Sequence, residues 1–191
     1  MTAVQQPDFI AIDDYLAGEE GSDTKHEYLG GTVHAMAGAT NQHNAIATST
    51  PLSLGSQLRG KSCQPFNSDT KVRIEFPDHT RFYYPDAMVV FRANPAADHF
   101  QDHPVVIVEV LSDSTRRTDL GEKRDAYLTI STLKVLLLVE PGFPTVTVYR
   151  RKPEGGFAAE QYSGPDSSIP LPEIDSSLSL ADLYERVELN A

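Results

Sequence analysis

Apolar and polar positions recur along this chain with two different periods, and the change from one to the other marks the elements. Residues 105–111 read Val-Val-Ile-Val-Glu-Val-Leu. Counting by twos places Val105, Ile107, Glu109 and Leu111 on one face of a strand and Val106, Val108 and Val110 on the other. Both faces are apolar, as in a central strand covered on each side. Residues 87–91 and 134–139 are similar runs, whereas 70–75 and 145–150 alternate strictly and predict half-exposed strands. Residues 26–29 and 32–36 flank Gly30-Gly31, a pair that supplies the positive φ angles of a two-residue hairpin turn. Helical spacing predicts helices over 10–17, ended by Gly18, and over 43–58, where Pro51 should kink the helix or mark a start. A third helix is expected over 119–130, opened by a capping box with Asp119 at N-cap and Glu122 at N3, and mildly weakened by Gly121.

Strand, helix and strand from 105 to 139 make a crossover unit, expected to be parallel and right-handed. A polar loop over 92–103 precedes it. A hairpin-like piece at 157–162 and a closing helix at 179–187 complete the pattern. The prediction is an α/β (α+β mixed) fold, a mixed β-sheet flanked by helices, in one domain spanning 1–191.

Composition narrows the class. The 191 residues are 40% hydrophobic and 23% charged, which are globular values. The apolar runs are far shorter than the about 20 residues of a membrane helix, and Met1 to Asp8 lacks the basic start and apolar stretch of a signal peptide. A cytoplasmic setting without membrane contact is expected, consistent with a single cysteine, Cys63. The formal charge of −11 argues against broad nucleic-acid binding. Its distribution still allows a local positive face, because Arg59, Lys61, Lys71 and Arg73 cluster in one segment and Arg116, Arg117, Lys123 and Arg124 in another.

One charge stands out. Glu109 lies inside an apolar strand, and an unpaired buried carboxylate costs several kcal/mol or more, so it must be neutralised, salt-bridged or metal-bound. Either it sits at the strand's solvent end paired with a Lys or Arg, or it belongs to a site. Pro85-Asp86 opens the preceding apolar strand, and Lys123 lies on the helix that follows. Alone, Pro-Asp is turn chemistry and Lys123 a solvated helix residue. Together, two carboxylates from neighbouring strands form a hard oxygen pair suited to Mg²⁺ or Mn²⁺, and a lysine nearby can stabilise charge on a phosphate. Such a set suits phosphodiester hydrolysis. His43 could contact a phosphate, act as a base or simply cap its helix, and Tyr127 shares a helix face with Lys123, where it holds the lysine's stem or fills the core.

The strings Pro85-Asp86-Ala87-Met88-Val89-Val90 and Val108-Glu109-Val110-Leu111-Ser112, followed by Ser114, Thr115, Asp119, Lys123 and Tyr127, resemble the Uma endonuclease family. That family belongs to the PD-(D/E)XK, or restriction-endonuclease-like, superfamily. The likeness spans most of the chain, from Asp13-Asp14-Tyr15-Leu16 through Glu27-Tyr28-Leu29-Gly30-Gly31 and His43 to a closing strand and helix between Leu171 and Tyr184. It implies a restriction-endonuclease-like core and a DNA endonuclease that uses a metal-activated water, with Mg²⁺ or Mn²⁺ as cofactor. Asp86 and Glu109 would be metal ligands together with the main-chain carbonyl of Val110, and Glu27 would be an additional acid. In the superfamily the usual lysine lies two residues after the glutamate, where this chain has Leu111, so the resemblance moves that role to Lys123. It also implies a homodimer, in keeping with free sheet edges expected near Lys71 and at 145–150. Two alternatives stay open: an inactive nuclease fold serving as a binding or assembly module, and a hydrolase of small phosphorylated substrates with a closed pocket.

Overall fold

A computed structural model describes residues 9–189; residues 1–8, read above as free of a signal peptide, and 190–191 lie outside it. In chain order the elements are α1 (Ile12–Glu20), β1 (His26–Leu29), β2 (Thr32–Ala35), α2 (Asn41–Gln57), β3 (Gln64–Asn67), β4 (Lys71–Glu75), β5 (Thr80–Tyr83), β6 (Ala87–Val90), β7 (Phe100–Gln101) and β8 (Pro104–Val110). A broken helix follows, made of α3 (Arg116–Thr118), a π-helical turn (Asp119–Lys123) and α4 (Arg124–Leu128). The chain then forms β9 (Val135–Val139), β10 (Thr145–Arg151), β11 (Phe157–Ser163), β12 (Ser168–Leu171), a 3₁₀ turn (Pro172–Ile174), β13 (Ser176–Ser179) and α5 (Leu180–Leu183).

The apolar runs become neighbours at the centre of a six-stranded mixed sheet ordered β11-β10-β9-β8-β6-β3. β8 and β9 are parallel, in register from Val106 opposite Val135 to Val110 opposite Val139, as the crossover predicted. Period two sorts the two faces of β8. Val106, Val108 and Val110 join a core roofed by Ile46, Leu54 and Leu58 of the α2 region and by Leu180 and Leu183 of α5. Ile107 and Leu111 join a second core with Tyr83, Ala126, Tyr127 and Ile130. A five-stranded sheet, β2-β1-β5-β4-β7, stands beside this second face. There Tyr15, Tyr28 and Phe82 bury against one another and fix α1 on the hairpin.

Several expectations need correction. Among the described residues there are three sheets, not one, and β3 is a strand that its short mixed sequence did not signal. α1 runs past Gly18 to Glu20, and α2 is continuous through Pro51 because Ile46 and Leu54 anchor both halves of it to the core. β4 is mostly buried, Lys71 included, since it lies between β5 and β7. The edges expected at β4 and β10 are likewise covered within the chain, β10 by β11. Asp119 is not an N-cap. It lies inside the broken helix with helical angles and its side chain turned to other partners, and the regular helix is interrupted at Gly121, whose φ and ψ are −119° and −105°. Among the described residues no helix is long and apolar enough to cross a membrane.

Candidate active site

Asp86 stands immediately before β6, where antiparallel pairing sets it beside the end of β8. Its Oδ2 accepts the Val110 N–H at 2.7 Å, and its Oδ1 is 2.9 Å from His43 Nε2. His43 reaches it from the first turn of α2, whose N-cap Thr40 accepts the His43 N–H at 3.2 Å. One carboxylate thus ties together the start of β6, the end of β8 and the N-terminus of α2. Burial acts to lower the His43 pKa, but the hydrogen bond and charge of Asp86 outweigh it, and the imidazole is raised above its ordinary value. Its Nδ1 is buried beside the Leu111 backbone and completes no hydrogen bond.

Glu109 is 4% exposed, near the end of β8 on the face of the second core. Its Oε1 accepts the Tyr127 hydroxyl at 2.6 Å and lies 2.9 Å from Lys123 Nζ. Burial pushes its carboxyl up to about 8, with Asp86 and Asp119 adding to the rise and Lys123 and Tyr127 opposing it. Lys123 is 5% exposed, and its Nζ also lies 3.1 Å from Glu27 Oε1 and 3.9 Å from Asp119 Oδ1. Burial alone would lower its pKa; Glu109, Glu27 and Asp119 together reverse the sign and raise it. The turn carrying Lys123 is held in place by Glu122, which pairs at 2.8 Å with Arg81 of β5.

Glu27, Glu109 and Lys123 therefore meet directly, and Asp86 stands close enough to raise Glu109. Val110 is the residue whose N–H holds Asp86. Glu109 does have the lysine partner of the simpler reading, but in the interior and not at the solvent end of the strand. Leu111 is buried in the second core, and Lys123 reaches the glutamate from the broken helix. Tyr127 acts on Glu109 and not on the lysine stem alone. Asp119 enters a group from which its reading as a cap had excluded it; the signal was its spacing of four from Lys123, which places the two on one helix face.

Among the described residues, no three His, Cys, Asp or Glu side chains are arranged to hold a metal. Mg²⁺ asks for fewer, since it is commonly held by one or two carboxylates and keeps several waters. Asp86 and Glu109 are hard oxygen donors of that kind, and among the described residues Glu109 Oε2 makes no hydrogen bond while Oε1 takes both contacts. The donor set fits a divalent cation. Two surface clefts of about 620 and 590 Å³ are lined by none of Glu27, Asp86, Glu109 or Lys123, so neither is a closed pocket around this group.

The two basic clusters are largely spent within the chain. Lys61 pairs with Asp175, Arg73 with Asp102, Arg116 with Glu140 and Arg124 with Asp125, while Lys71 and Lys123 are buried. Of those eight residues, only Arg59 and Arg117 make no ion pair or side-chain hydrogen bond among the described residues, so the positive face that the sequence allowed is much reduced.

Comparison with known proteins places the chain in a family and its fold beside a solved structure. The model of a family described as "Uma2: Putative restriction endonuclease" matches residues 12–182. An uncharacterized protein of Synechocystis sp. (strain ATCC 27184 / PCC 6803 / Kazusa) is 29% identical over 176 residues, 92% of this chain and 91% of its own length. A second uncharacterized protein of that organism is 26% identical over 172 residues, covering 88% and 96%. The fold is shared with the crystal structure of "a putative nuclease belonging to DUF820" from Anabaena variabilis ATCC 29413. The TM-score is 0.73 at 21% identity, over 94% of this chain and 99% of that one.

Proposed function

The chain belongs to the Uma2 family, described as "Putative restriction endonuclease", and from that premise we propose that it is a Mg²⁺- or Mn²⁺-dependent DNA endonuclease hydrolysing phosphodiester bonds. The observation that carries this reading is the Lys123 ammonium 2.9 Å from Glu109 in a buried setting, on a chain whose usual lysine position is Leu111. Asp86 and Glu109, with the Val110 carbonyl, would hold the cation. When bound, the cation supplies positive charge that neutralises a phosphate and acidifies water. The chain's own residues supply positioning. Val110 N–H and His43 aim Asp86, the Tyr127 hydroxyl holds Glu109, and Lys123 brings a fixed positive charge to a phosphate presented at Glu109. Glu27 from β1 keeps the ammonium from turning away.

Homodimer formation, a cytoplasmic setting and one functional unit over residues 1–191 are part of this reading. The dimer rests on the family likeness alone, because the edges at β4 and β10 are covered, and sedimentation of the purified chain measures it. For activity, the purified protein is incubated with supercoiled plasmid and Mg²⁺ or Mn²⁺. Nicked or linear product is expected, with Glu109→Ala lowering the rate by at least about 10³-fold. Wild-type protein that binds no divalent ion and cuts no DNA would refute the reading and leave the binding-module alternative.

A further inference from the structure

Asp119 is as buried as the residues it faces, at 4% exposure. Its Oδ2 accepts the Thr115 hydroxyl, which turns Oδ1 toward Lys123 Nζ at 3.9 Å. The ammonium therefore lies among three carboxylates from three separate elements: Glu27 on β1, Glu109 on β8 and Asp119 on the broken helix. The rings of Tyr83 and Tyr127 flank it at 5.6 and 6.0 Å. Among the described residues no other Lys, Arg or His forms an ion pair with Glu27, Glu109 or Asp119, and Arg81 nearby is engaged by Glu122.

An ammonium and a divalent cation compete for the same carboxylate oxygens. A buried lysine paired with Glu109 alone would be stranded without a counter-charge when a cation took that carboxylate, and a stranded buried charge is costly. Lys123 is not in that position, because Glu27 and Asp119 remain to hold it. We propose that Asp119 is a positioning residue of this site: with Glu27 it retains the Lys123 ammonium, so that the lysine's contact with Glu109 is exchanged for a divalent cation without the lysine losing its charge partners. The inference rests on the reading above, in which Asp86 and Glu109 hold the cation.

The test is Mn²⁺ affinity of the full chain, measured by calorimetry without DNA, for wild type, Lys123→Met, Asp119→Asn and the double variant. Removing the competitor in Lys123→Met tightens Mn²⁺ binding by roughly tenfold, on the scale of one partly screened unit charge. Asp119→Asn weakens it by roughly tenfold in the wild-type background and has little effect beside Lys123→Met, because Asp119 acts through the lysine. An equal loss from Asp119→Asn in both backgrounds overturns the proposal and makes Asp119 a direct contributor to the cation. Unchanged or weaker binding by Lys123→Met also overturns it. Lys123→Gln serves if Lys123→Met does not fold, with the same expectations. Wild type that binds no Mn²⁺ removes the underlying reading and the proposal together, whereas wild type that binds it with the wrong pattern of variants removes the proposal alone.

Discussion

Two lysines of this protein are buried to nearly the same degree, Lys71 at 4% and Lys123 at 5% exposure, and their surroundings pull them in opposite directions. Lys71 Nζ donates to the Tyr84 hydroxyl at 3.1 Å and lies over the rings of Tyr15 and Tyr84 at 5.9 and 5.1 Å. Its nearest acid acts at one remove, because the Tyr84 hydroxyl itself donates to Glu19 Oε2 at 2.6 Å. Burial therefore dominates and lowers the Lys71 pKa, with Glu19 and Glu20 only partly opposing it. At Lys123 three carboxylates overcome the same penalty and raise it. Burial of a charge is thus a weak mark of function by itself, and convergence of several acids from separate elements is a stronger one.

Cleavage should separate the two most sharply. Lys123→Ala is expected to lose at least about 10³-fold in the rate of DNA cutting with Mn²⁺, while Lys71→Met stays within about threefold. Equal losses measured on the same plasmid would dissolve the contrast. Stability comes next. Lys71→Met replaces a buried cation with an apolar chain of similar length and should melt within about 3 °C of wild type. Lys123→Met leaves buried carboxylates uncompensated and should melt roughly 5–12 °C lower without divalent ions, as read by circular dichroism.

The smallest effect is on pH dependence. Glu109 is pushed up to about 8 from 4.5, chiefly by burial, so the folded state holds its proton more tightly than the unfolded chain. Its contribution to stability is complete below about 4.5 and is lost as pH rises through about 8. Glu109→Gln should remove that component. Between pH 5 and 8 the metal-free wild type is then expected to lose several degrees more in melting temperature than the variant does. Parallel curves for the two would show that Glu109 is not the group that titrates.

Much of this architecture could be read along the chain. The apolar runs around Val89, Val108 and Leu137 become adjacent strands, and the crossover from β8 to β9 is parallel as expected. The Gly30-Gly31 hairpin forms where the pair of positive φ angles was required, at 59° and 102°. Glu109 was recognisable from its neighbours alone, because a carboxylate in a run of branched apolar residues breaks a strong local rule. The broken helix was not legible. Its sequence supports a regular capped helix, and the reading of Asp119 as a cap failed because Thr115, Lys123 and the Arg81–Glu122 pair hold the turn in another form.

The order of residues by itself determined the central strands, both of whose faces are apolar, and the one carboxylate among them, since period is a local property of a sequence. Only the tertiary structure decided who answers that charge. Asp119, Lys123 and Tyr127 share the broken helix, whereas Glu27 and Asp86 come from distant segments, and whether an ammonium remains charged in the interior depends on the distances among them. Coulomb energy varies with separation in space and not with separation along the chain, so the opposite pulls on Lys71 and Lys123 emerge only once the fold has placed their neighbours.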